Sequence, residues 1–446
     1  MRRTPYSPVR LTAYSGRVST WSLVSGPMPV LLALAAIAGV AWLLAGRRRP
    51  GGRTVVACLL AAVVVTAVGA YLVCAVWRLI PDALGVNVYA SIGLGLFVVL
   101  LGVVQGFRSR GAARTAAVAI IAAVAVAACA NQVNLVYDAY PTVGAALGIQ
   151  QWNEIPFSEV TAAHRLRPDH DPVDAGWTAP PGLPDAGRLT RAAIPGTVSG
   201  FHARPAEIYL PPAYFADPRP QLPVLVLLAG QPGSPRDWAS SGNLPATMDD
   251  FARTHQGLAP IVVVADGTGS TWNDPLCADG PHAKVATYLA GDVPAWIRAH
   301  LSVDPDPRAW AVGGLSYGGT CALQLAAGYP QVYPTFLAMS AEAELNLTDR
   351  EHTLSVFDGD TAAYARANPH DLLAERRYPG SAGVFVVGSE DDDTVPGSRR
   401  AYQDARAAGM DAGYLELPGG HDWRVWSTGL ARELPWLSQR IGLVSG

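Results

Sequence analysis

Ser316 is the residue of this chain best placed for nucleophilic chemistry. It stands at the centre of Gly314-Leu315-Ser316-Tyr317-Gly318, which has the pattern G-x-S-x-G. Such a pattern can form a sharp turn that presents the serine hydroxyl for attack on a carbonyl carbon. The pattern alone decides little, because the chain has 45 glycines among its 446 residues. The surrounding sequence must therefore support a nucleophile.

A nucleophile turn must lie between a strand and a helix, since the helix N-terminus then stabilises the developing negative charge. The apolar run "AWAV" before Ser316 predicts a strand, and "TCALQLAAGYP" after it has apolar residues at helical spacing. Gly314 and Gly318 permit the close backbone approach that the turn requires. We therefore predict that Ser316 is a nucleophile. The alternative is that it is only a small residue in a glycine-rich bend.

A serine hydroxyl needs a base to remove its proton, and the base needs an acid to orient its ring. Three histidines follow Ser316 in the chain. His352 and His370 lie in a polar insertion, which is typical of a surface or loop role. His421 directly follows the predicted strand "GYLELPGG" in a glycine-flanked loop. We predict that His421 is the base.

The acid is expected in the loop after the preceding strand, where four carboxylates lie in a row: Glu390, Asp391, Asp392 and Asp393. Asp391 is our prediction, because it is the first aspartate after the strand and its spacing from Gly388 suits a tight turn. The alternative is that the whole acidic run is a solvated loop.

Two backbone N–H groups are needed to stabilise the oxyanion of an acyl-transfer reaction. Tyr317, directly after the nucleophile, is predicted to supply one of them. Gln231 is predicted to supply the other, because it follows the strand "VLVLLAG" at the start of the loop "QPGSPRDW". The alternative is that the glycine and proline residues of this loop only shape its course.

The elements that position these residues alternate between strands and helices over residues 187–446. Strands are predicted at 188–194, 206–210, 223–230, 260–267, 308–316, 335–341, 383–391 and 413–420. Helices are predicted at 283–301, 319–329, 398–409 and 423–440. Short apolar runs of this kind are typical of buried parallel strands. The pattern predicts one α/β domain with a mostly parallel sheet, helices on both faces and active residues at the carboxyl ends of strands.

Residues 1–140 are predicted to form a membrane region, because four long runs without charge crowd into them. A bilayer span requires about 20 apolar residues. We predict transmembrane helices at about 28–46, 54–77, 86–107 and 115–136. Buried helices of a large soluble core are the alternative, but such helices seldom stay free of charge for so long. Residues 141–186, rich in proline and glycine, are predicted to be a linker.

Arginines predict how these helices are oriented. Basic residues join the first span to the second and the third to the fourth, whereas the loop between the second and third has only Arg78. The arginines of the two basic loops are Arg47, Arg48, Arg49, Arg53, Arg108, Arg110 and Arg114. Basic loops usually face the cytoplasm, so the residues after 137 are predicted to lie outside it. Four arginines before residue 18 argue against this orientation, since they would also have to cross the membrane.

Composition restricts the partners of the chain. Apolar residues make up 50%, charged residues 15%, and the formal net charge is −3. Because no basic run lies outside the membrane loops, a nucleic-acid partner is disfavoured. We expect a lipid bilayer and an ester substrate as partners, and no cofactor or metal.

Cys277 and Cys321 lie outside the predicted spans, and their pairing cannot be decided from sequence.

These segments together resemble the esterase D-like family, which includes feruloyl esterases and the antigen 85 mycolyltransferases. The resemblance covers about 187–437 and rests on blocks in the expected order: "EIYLPPAY", "PVLVLLAGQPGSPRDW", "VVVADGTGSTWNDP", "WAVGGLSYGGTCALQLAAGYPQVY", "VVGSEDDDT" and "PGGHDWRVW". It implies an α/β-hydrolase fold, a Ser316-Asp391-His421 triad and an acyl-enzyme resolved by water or an alcohol. By the same resemblance Trp272 and Asn273 would contact substrate, the alternative being packing and loop capping.

Two departures from the mycolyltransferases favour a hydrolase. The elbow is G-L-S-Y-G where theirs resembles G-L-S-M-A, and the acid is an aspartate where theirs is a glutamate. We predict a multi-pass membrane-anchored serine esterase or acyltransferase with its catalytic domain outside the cytoplasm. Anchoring favours a lipid or cell-envelope glycolipid ester as substrate.

Two alternatives stay open. One is mycolyltransferase-like transfer of an acyl group to a sugar alcohol. The other is a membrane sensor or transporter whose hydrolase-like domain only binds a ligand. The scarcity of ionisable residues inside the spans counts against transport.

Overall fold

The computed structural model describes residues 18–45, 50–79, 84–109, 111–149, 152–160, 165–166, 172–347 and 349–446. The chain divides into two units, one of Met1–Val76 and Ala83–Gln151, the other of Trp77–Asp82 and Trp152–Gly446. The arginines before residue 18, together with Arg47, Arg48, Arg49 and Arg110, lie outside the described residues. The orientation predicted from them therefore stays a prediction.

Four long apolar helices form most of the first unit. They are α1 (Pro27–Ala45), α2 (Gly52–Ala70), α3 (Val86–Arg108) and α4 (Ala112–Tyr137), and a one-turn helix α5 (Val143–Ala146) follows. A π-helical turn, Tyr71–Val76, continues α2, so that Gly52–Val76 is one helix of 25 residues. All four are long and apolar enough to cross a membrane.

Side chains of all four long helices form the small core of this unit. Val98, Leu101 and Val118 are buried there, and the amide of Gln105 donates a 2.7 Å hydrogen bond to the carbonyl oxygen of Leu43. Many other apolar side chains of these helices are exposed. Exposure of this kind suits contact with lipid, because a soluble protein would bury such continuous apolar surface.

An eight-stranded sheet forms the centre of the second unit. Its strands are β1 (Arg188–Ala192), β2 (Ala206–Leu210), β3 (Val224–Leu228), β4 (Ile261–Ala265), β5 (Trp310–Leu315), β6 (Thr335–Met339), β7 (Ala382–Gly388) and β8 (Asp411–Leu417). The order across the sheet is β8-β7-β6-β5-β3-β4-β2-β1. Strands β3 to β8 are mutually parallel, and β1 and β2 are antiparallel to their neighbours. The predicted mostly parallel sheet is confirmed.

Every residue of β3 to β7 is buried, so both faces of the central sheet are covered. The helices are α6 (Asp237–Ser240), α7 (Leu244–Thr254), α8 (Val285–Thr287), α9 (Val293–His300), α10 (Tyr317–Gly328), α11 (Arg350–Ser355), α12 (Thr361–Ala367), α13 (Pro369–Glu375), α14 (Val395–Ala407) and α15 (Trp423–Arg440). A π-helical turn, Tyr288–Asp292, joins α8 to α9. Helices α6, α7 and α11 to α13 were not anticipated from the sequence.

Shorter elements complete the unit. Single 3₁₀ turns occur at Phe157–Glu159, Val173–Gly176, Pro212–Phe215 and Pro307–Ala309, and Arg165–Leu166 pairs in parallel with Arg219–Pro220. Part of the predicted linker packs here, since the N–H of Ile155 donates a 2.8 Å hydrogen bond to the carbonyl oxygen of Leu189 in β1.

Parallel strands bring their carboxyl ends to one edge of the sheet. Ser316 directly follows β5, Asp391 lies three residues after β7, and His421 lies four residues after β8. The three residues therefore reach the same edge although they are far apart in sequence.

Candidate active site

Ser316 occupies a strained turn between β5 and α10. Its φ and ψ angles are 55° and −122°, a conformation that a residue with a side chain seldom adopts. Its N–H donates a 2.8 Å hydrogen bond to the carbonyl oxygen of Met339. The hydroxyl is thereby presented at the N-terminus of α10, where the helix dipole favours negative charge.

Two glycines make this turn possible. A Cβ added at Gly318 would lie 2.5 Å from the carbonyl oxygens of both Leu228 and Ala229. A Cβ added at Gly319 would lie 2.2 Å from the carbonyl oxygen of Met339. Helix α10 therefore packs closer to β3 and β6 than any residue with a side chain would permit.

His421 and Asp391 form a hydrogen-bonded pair beside this turn. Nδ1 of His421 lies 2.8 Å from Oδ2 of Asp391. Because a carboxylate only accepts hydrogen bonds, Nδ1 carries the proton and Nε2 is the nitrogen that can accept one. The ring of Trp426 meets the imidazole edge to face at a centroid distance of 5.0 Å. Both the tautomer and the plane of the imidazole are therefore set by its neighbours.

Asp391 is 5% exposed, and burial alone would raise its pKa. The hydrogen bond and charge of His421 lower the pKa, and the hydroxyls of Thr394 and Ser340 lower it further, so that it falls below its usual value. Ser340 is itself held by the indole N–H of Trp426, which donates to its Oγ at 3.0 Å. The carboxylate consequently stays ionised while it orients His421.

The loop after β3 approaches Ser316 from the other side. A Cβ added at Gly230 would lie 3.4 Å from the Cβ of Ser316 and 2.8 Å from Leu315. Gln231 therefore begins its loop next to Ser316, and with Tyr317 it lines the same cavity as Ser316 and His421. This arrangement suits the two N–H donors that an oxyanion requires.

The side chain of Tyr317 ties α10 to the loop after β4. Burial raises its pKa well above the usual value, so the hydroxyl stays protonated and donates a 2.7 Å hydrogen bond to the carbonyl oxygen of Gly267. The same hydroxyl accepts a 3.0 Å hydrogen bond from the N–H of Cys277. A disulfide between Cys277 and Cys321 joins the same two segments, with Cα atoms 5.5 Å apart. The pairing left open by the sequence is thus present in the structure.

Arg204 and Asp266 brace the two loops at this edge. The guanidinium donates to both carboxylate oxygens of Asp266, at 3.0 and 2.7 Å. It also donates to the carbonyl oxygen of Gly233, in the Gln231 loop, and to the hydroxyl of Thr268. Burial alone would raise the pKa of Asp266, but these bonds from Arg204 lower it.

A cavity of about 430 Å³ opens beside Ser316. Its far wall comes from the polar insertion between β6 and β7, which includes Glu342, Glu344, Arg350 and Thr353. From the sequence, His352 and His370 of this insertion were given only a surface or loop role, because the insertion is polar. The supporting contacts of Ser340 and Trp426 were missed as well, although Ser340 follows β6 as Ser316 follows β5.

Trp272 and Asn273 do not line this cavity. Trp272 is 52% exposed, and the amide of Asn273 donates a 2.8 Å hydrogen bond to the carbonyl oxygen of Thr268. Their contact with substrate stays a prediction, while the hydrogen bond of Asn273 fits the loop-capping alternative. The next residue, Asp274, does line the cavity. Among the described residues, no group of three or more His, Cys, Asp or Glu is arranged to hold a metal.

Known proteins show similarity to large parts of this chain. Residues 202–437 match the family model described as putative esterase. An uncharacterized protein of Corynebacterium glutamicum is 36% identical over 439 residues, which cover 95% of this chain and 98% of that protein. The diacylglycerol acyltransferase/mycolyltransferase Ag85A of Mycobacterium tuberculosis is 26% identical over 283 residues, covering 50% of this chain and 83% of that one.

A solved ferulic acid esterase is similar to the second unit. It matches with a TM-score of 0.50 at 21% identity, and the match covers 58% of this chain and 100% of that one. A likeness at this identity shows the α/β-hydrolase fold.

Proposed function

The chain belongs to the putative esterase family, and from this premise we propose that it is a membrane-anchored serine esterase or acyltransferase that works through an acyl-enzyme on Ser316. The observation that carries the proposal is the 2.8 Å contact between the buried Asp391 and His421, since His421 lines the same cavity as Ser316. A base that is oriented by a buried carboxylate, beside a strained serine, is the arrangement that activates a hydroxyl.

In the first half of the reaction, Oγ of Ser316 attacks the ester carbonyl carbon and its proton passes to Nε2 of His421. The N–H groups of Gln231 and Tyr317 stabilise the oxyanion of the tetrahedral intermediate. When the intermediate collapses, the bond from the carbonyl carbon to the alcohol oxygen breaks, and the alcohol leaves with the proton from His421. The acyl group is now bound to Ser316 as an ester.

In the second half, His421 takes a proton from the incoming water or alcohol, whose oxygen attacks the acyl carbon. Collapse of the second intermediate returns the proton to Ser316 and releases an acid or a new ester. Asp391 stabilises the imidazolium in both halves without becoming protonated itself.

Transfer to an alcohol is the second candidate function. It is supported by the relative named as a diacylglycerol acyltransferase/mycolyltransferase. The cavity also offers hydroxyl and carboxylate groups that can hold a hydroxyl-rich acceptor, among them Thr320, Thr353 and Asp274. Product analysis with and without added alcohols separates the two: an acceptor-dependent ester means transfer, whereas free acid alone means hydrolysis.

We place the enzyme in a cell membrane with the second unit outside the cytoplasm. The four apolar helices support the anchor. The disulfide between Cys277 and Cys321 supports the orientation, because disulfides persist in oxidising compartments. Labelling of a cysteine introduced at the exposed residue Glu351, with a membrane-impermeant maleimide added to intact cells, tests this. Glu351→Cys should be labelled without lysis, and labelling only after lysis would contradict the placement.

An ester reached from the membrane surface, such as a lipid or cell-envelope glycolipid ester, is the substrate class that we propose. The anchor supports this choice. The cavity is lined by polar side chains such as Gln324 and Asn346, so it suits the polar part of such a molecule better than its hydrocarbon chain. Faster turnover of soluble short-chain esters than of lipid esters in vesicles would contradict this choice.

A fluorophosphonate probe tests the nucleophile directly, since an activated serine hydroxyl displaces its fluoride and forms a stable covalent adduct. We expect the adduct on the peptide that contains Ser316. The Ser316→Ala variant should lose the label, whereas the control Ser381→Ala, which removes a buried serine next to β7, should keep it. Full labelling of Ser316→Ala would overturn the proposal and favour a ligand-binding role.

A further inference from the structure

Arg78 is an unusual residue that the proposed chemistry leaves without a role. It is the one basic residue in the loop between the second and third predicted spans. Its φ is 51°, which lies in the left-handed region that residues with a side chain seldom adopt. Such a conformation persists where the surrounding structure holds it. The contacts of Arg78 therefore indicate what the residue does.

The segment that contains Arg78 belongs to the second unit. Trp77–Asp82 is grouped there with Trp152–Gly446, and the structure describes residues 77–79 of it. Contacts between these stretches are thus internal to one compact unit. The sequence-based topology is compatible with them, because two spans separate the loop from the residues after 137 and both are predicted to lie on the same side of the membrane.

Two contacts connect this segment to parts of the chain that surround the cavity beside Ser316. The guanidinium of Arg78 pairs with the carboxylate of Asp349 at 3.2 Å, in the insertion between β6 and β7. The carbonyl oxygen of Leu79 accepts a 3.4 Å hydrogen bond from the side-chain amide of Gln231, which lines the cavity. The segment therefore connects the insertion with the loop after β3.

Asp349 determines how helix α11 begins. Its carboxylate accepts a 2.7 Å hydrogen bond from the N–H of His352, and its carbonyl oxygen accepts a 2.8 Å hydrogen bond from the hydroxyl of Thr353. The N–H of His352, with the charge of Arg78, holds the pKa of Asp349 below its usual value. The ionised carboxylate therefore serves as helix cap and as partner of Arg78 at once.

Helix α11 contributes side chains to the cavity. Arg350 and Thr353 line it, and so does Leu347 just before the helix. The hydroxyl of Thr353 also accepts a 2.9 Å hydrogen bond from the N–H of Leu347. Because these three residues are joined to Asp349 through the start of α11, a shift of Asp349 moves this part of the cavity wall.

We propose that Arg78 is a positioning residue for the substrate cavity, which it supports by holding Asp349 and the start of α11. The inference rests on the esterase function proposed above. Arg78 itself does not line the cavity, so its loss should weaken substrate binding and leave the chemical step intact, which raises KM with little change in kcat. The pair is partly exposed, and pairs of this kind alter an equilibrium by up to about fivefold.

The experiment measures hydrolysis of p-nitrophenyl butyrate by the full chain in detergent micelles. Arg78→Asn removes the charge, and asparagine tolerates the left-handed backbone. Asp349→Asn removes the other charge and keeps an oxygen that can cap α11. Each should raise KM about two- to fivefold, with kcat within about twofold of the wild type. The double variant should raise KM no further than either single one, and Arg78→Lys should keep KM near the wild-type value.

Arg308→Gln is the matched control. Arg308 also pairs with a capping aspartate, Asp306 at 2.7 Å, before the turn Pro307–Ala309. Neither residue lines the cavity, and the turn precedes the start of β5, at the opposite end of that strand from Ser316. This substitution should leave KM unaltered.

Deuterium exchange provides a readout that does not depend on turnover. Backbone N–H groups of Arg350–Ser355 should exchange about two- to fivefold faster in Arg78→Asn and Asp349→Asn, and at the wild-type rate in Arg308→Gln. Unaltered KM in Arg78→Asn, additive effects in the double variant, or unaltered exchange would overturn the positioning role while the esterase proposal stands. Absence of any Ser316-dependent hydrolysis would instead overturn the esterase proposal, and the exchange rates would still decide whether Arg78 holds α11.

Discussion

The hydroxyl of Ser340 donates a 3.2 Å hydrogen bond to Oδ2 of Asp391, the same oxygen that receives the Nδ1 proton of His421. One carboxylate oxygen therefore connects the end of β6 to the imidazole of His421. Because Ser340 in turn accepts the indole N–H of Trp426, a chain of three hydrogen bonds holds the imidazole in place.

Removal of the Ser340 hydroxyl is expected to weaken this chain. In Ser340→Ala the pKa of Asp391 should rise, because one of the hydrogen bonds that lower it is lost. We expect kcat/KM to fall about tenfold and the low-pH limb of its pH profile to move to higher pH. Ser438→Ala is the control, since the buried Ser438 hydroxyl has no partner in the described structure. An unmoved pH profile in Ser340→Ala would contradict this role.

The Tyr317 hydroxyl is expected to position the oxyanion donor that follows Ser316. Tyr317→Phe leaves the Gly267 carbonyl and the Cys277 N–H without their partner, which costs about 1–3 kcal/mol for a buried group. Thermal unfolding should shift down by several degrees, and kcat should fall more than KM changes. Tyr329→Phe is the control, because Tyr329 lies near the other end of α10 and its hydroxyl has no hydrogen bond among the described residues. A similar effect of both substitutions would contradict the prediction.

Glycine at position 318 is expected to be essential for the turn. The Cβ of Gly318→Ala would clash with two carbonyl oxygens of the β3 end at 2.5 Å. We expect either loss of folded protein or a loss of about 3 kcal/mol in the free energy of unfolding, as measured by urea denaturation. Gly291→Ala is the control, because nothing lies within 4 Å of its added Cβ. Wild-type stability and activity in Gly318→Ala would show that the close packing is dispensable.

The Arg204 and Asp266 pair predicts how stability depends on pH. The pKa of Asp266 is lowered in the folded state, so its contribution is fully present above the unfolded value of about 3.9. That contribution is lost as the pH falls through the lower folded pKa. Arg204→Met leaves a buried carboxylate unpaired and should cost about 3–5 kcal/mol at pH 7.

Urea unfolding at several pH values measures this effect. For the wild type we expect the midpoint to drop steeply below pH about 4. In Arg204→Met the midpoint should already be low at pH 7 and should recover in part as Asp266 becomes protonated. An identical pH dependence of the two proteins would contradict the assignment.

The position of the candidate site at one edge of the sheet could be predicted, because it depends on local sequence patterns. Short apolar runs mark the strands, and Ser316, Asp391 and His421 each follow such a run within a few residues. The order of the strands did not have to be known for this prediction, because all parallel strands place their carboxyl ends at the same edge of the sheet. The apolar length of the four N-terminal helices is equally a local property, and the structure forms all four as helices.

The remainder of the site depends on contacts between distant segments. Glu342 and Arg350 belong to a polar insertion, and no local pattern in the sequence indicated that they line the cavity. The bond from Tyr317 to Gly267 spans 50 residues, and the disulfide spans 44. Pairing of this kind follows from the folded geometry of the loops, which residue types alone do not specify.

The most direct test of the account is hydrolysis of p-nitrophenyl butyrate by the purified full chain and by its Ser316→Ala variant. Both proteins must first show the same thermal unfolding midpoint, so that a loss of rate reports chemistry and not folding. We predict that the variant loses about 10⁴-fold or more in kcat. A variant that hydrolyses the ester at the wild-type rate would contradict the central claim that Ser316 carries the acyl group.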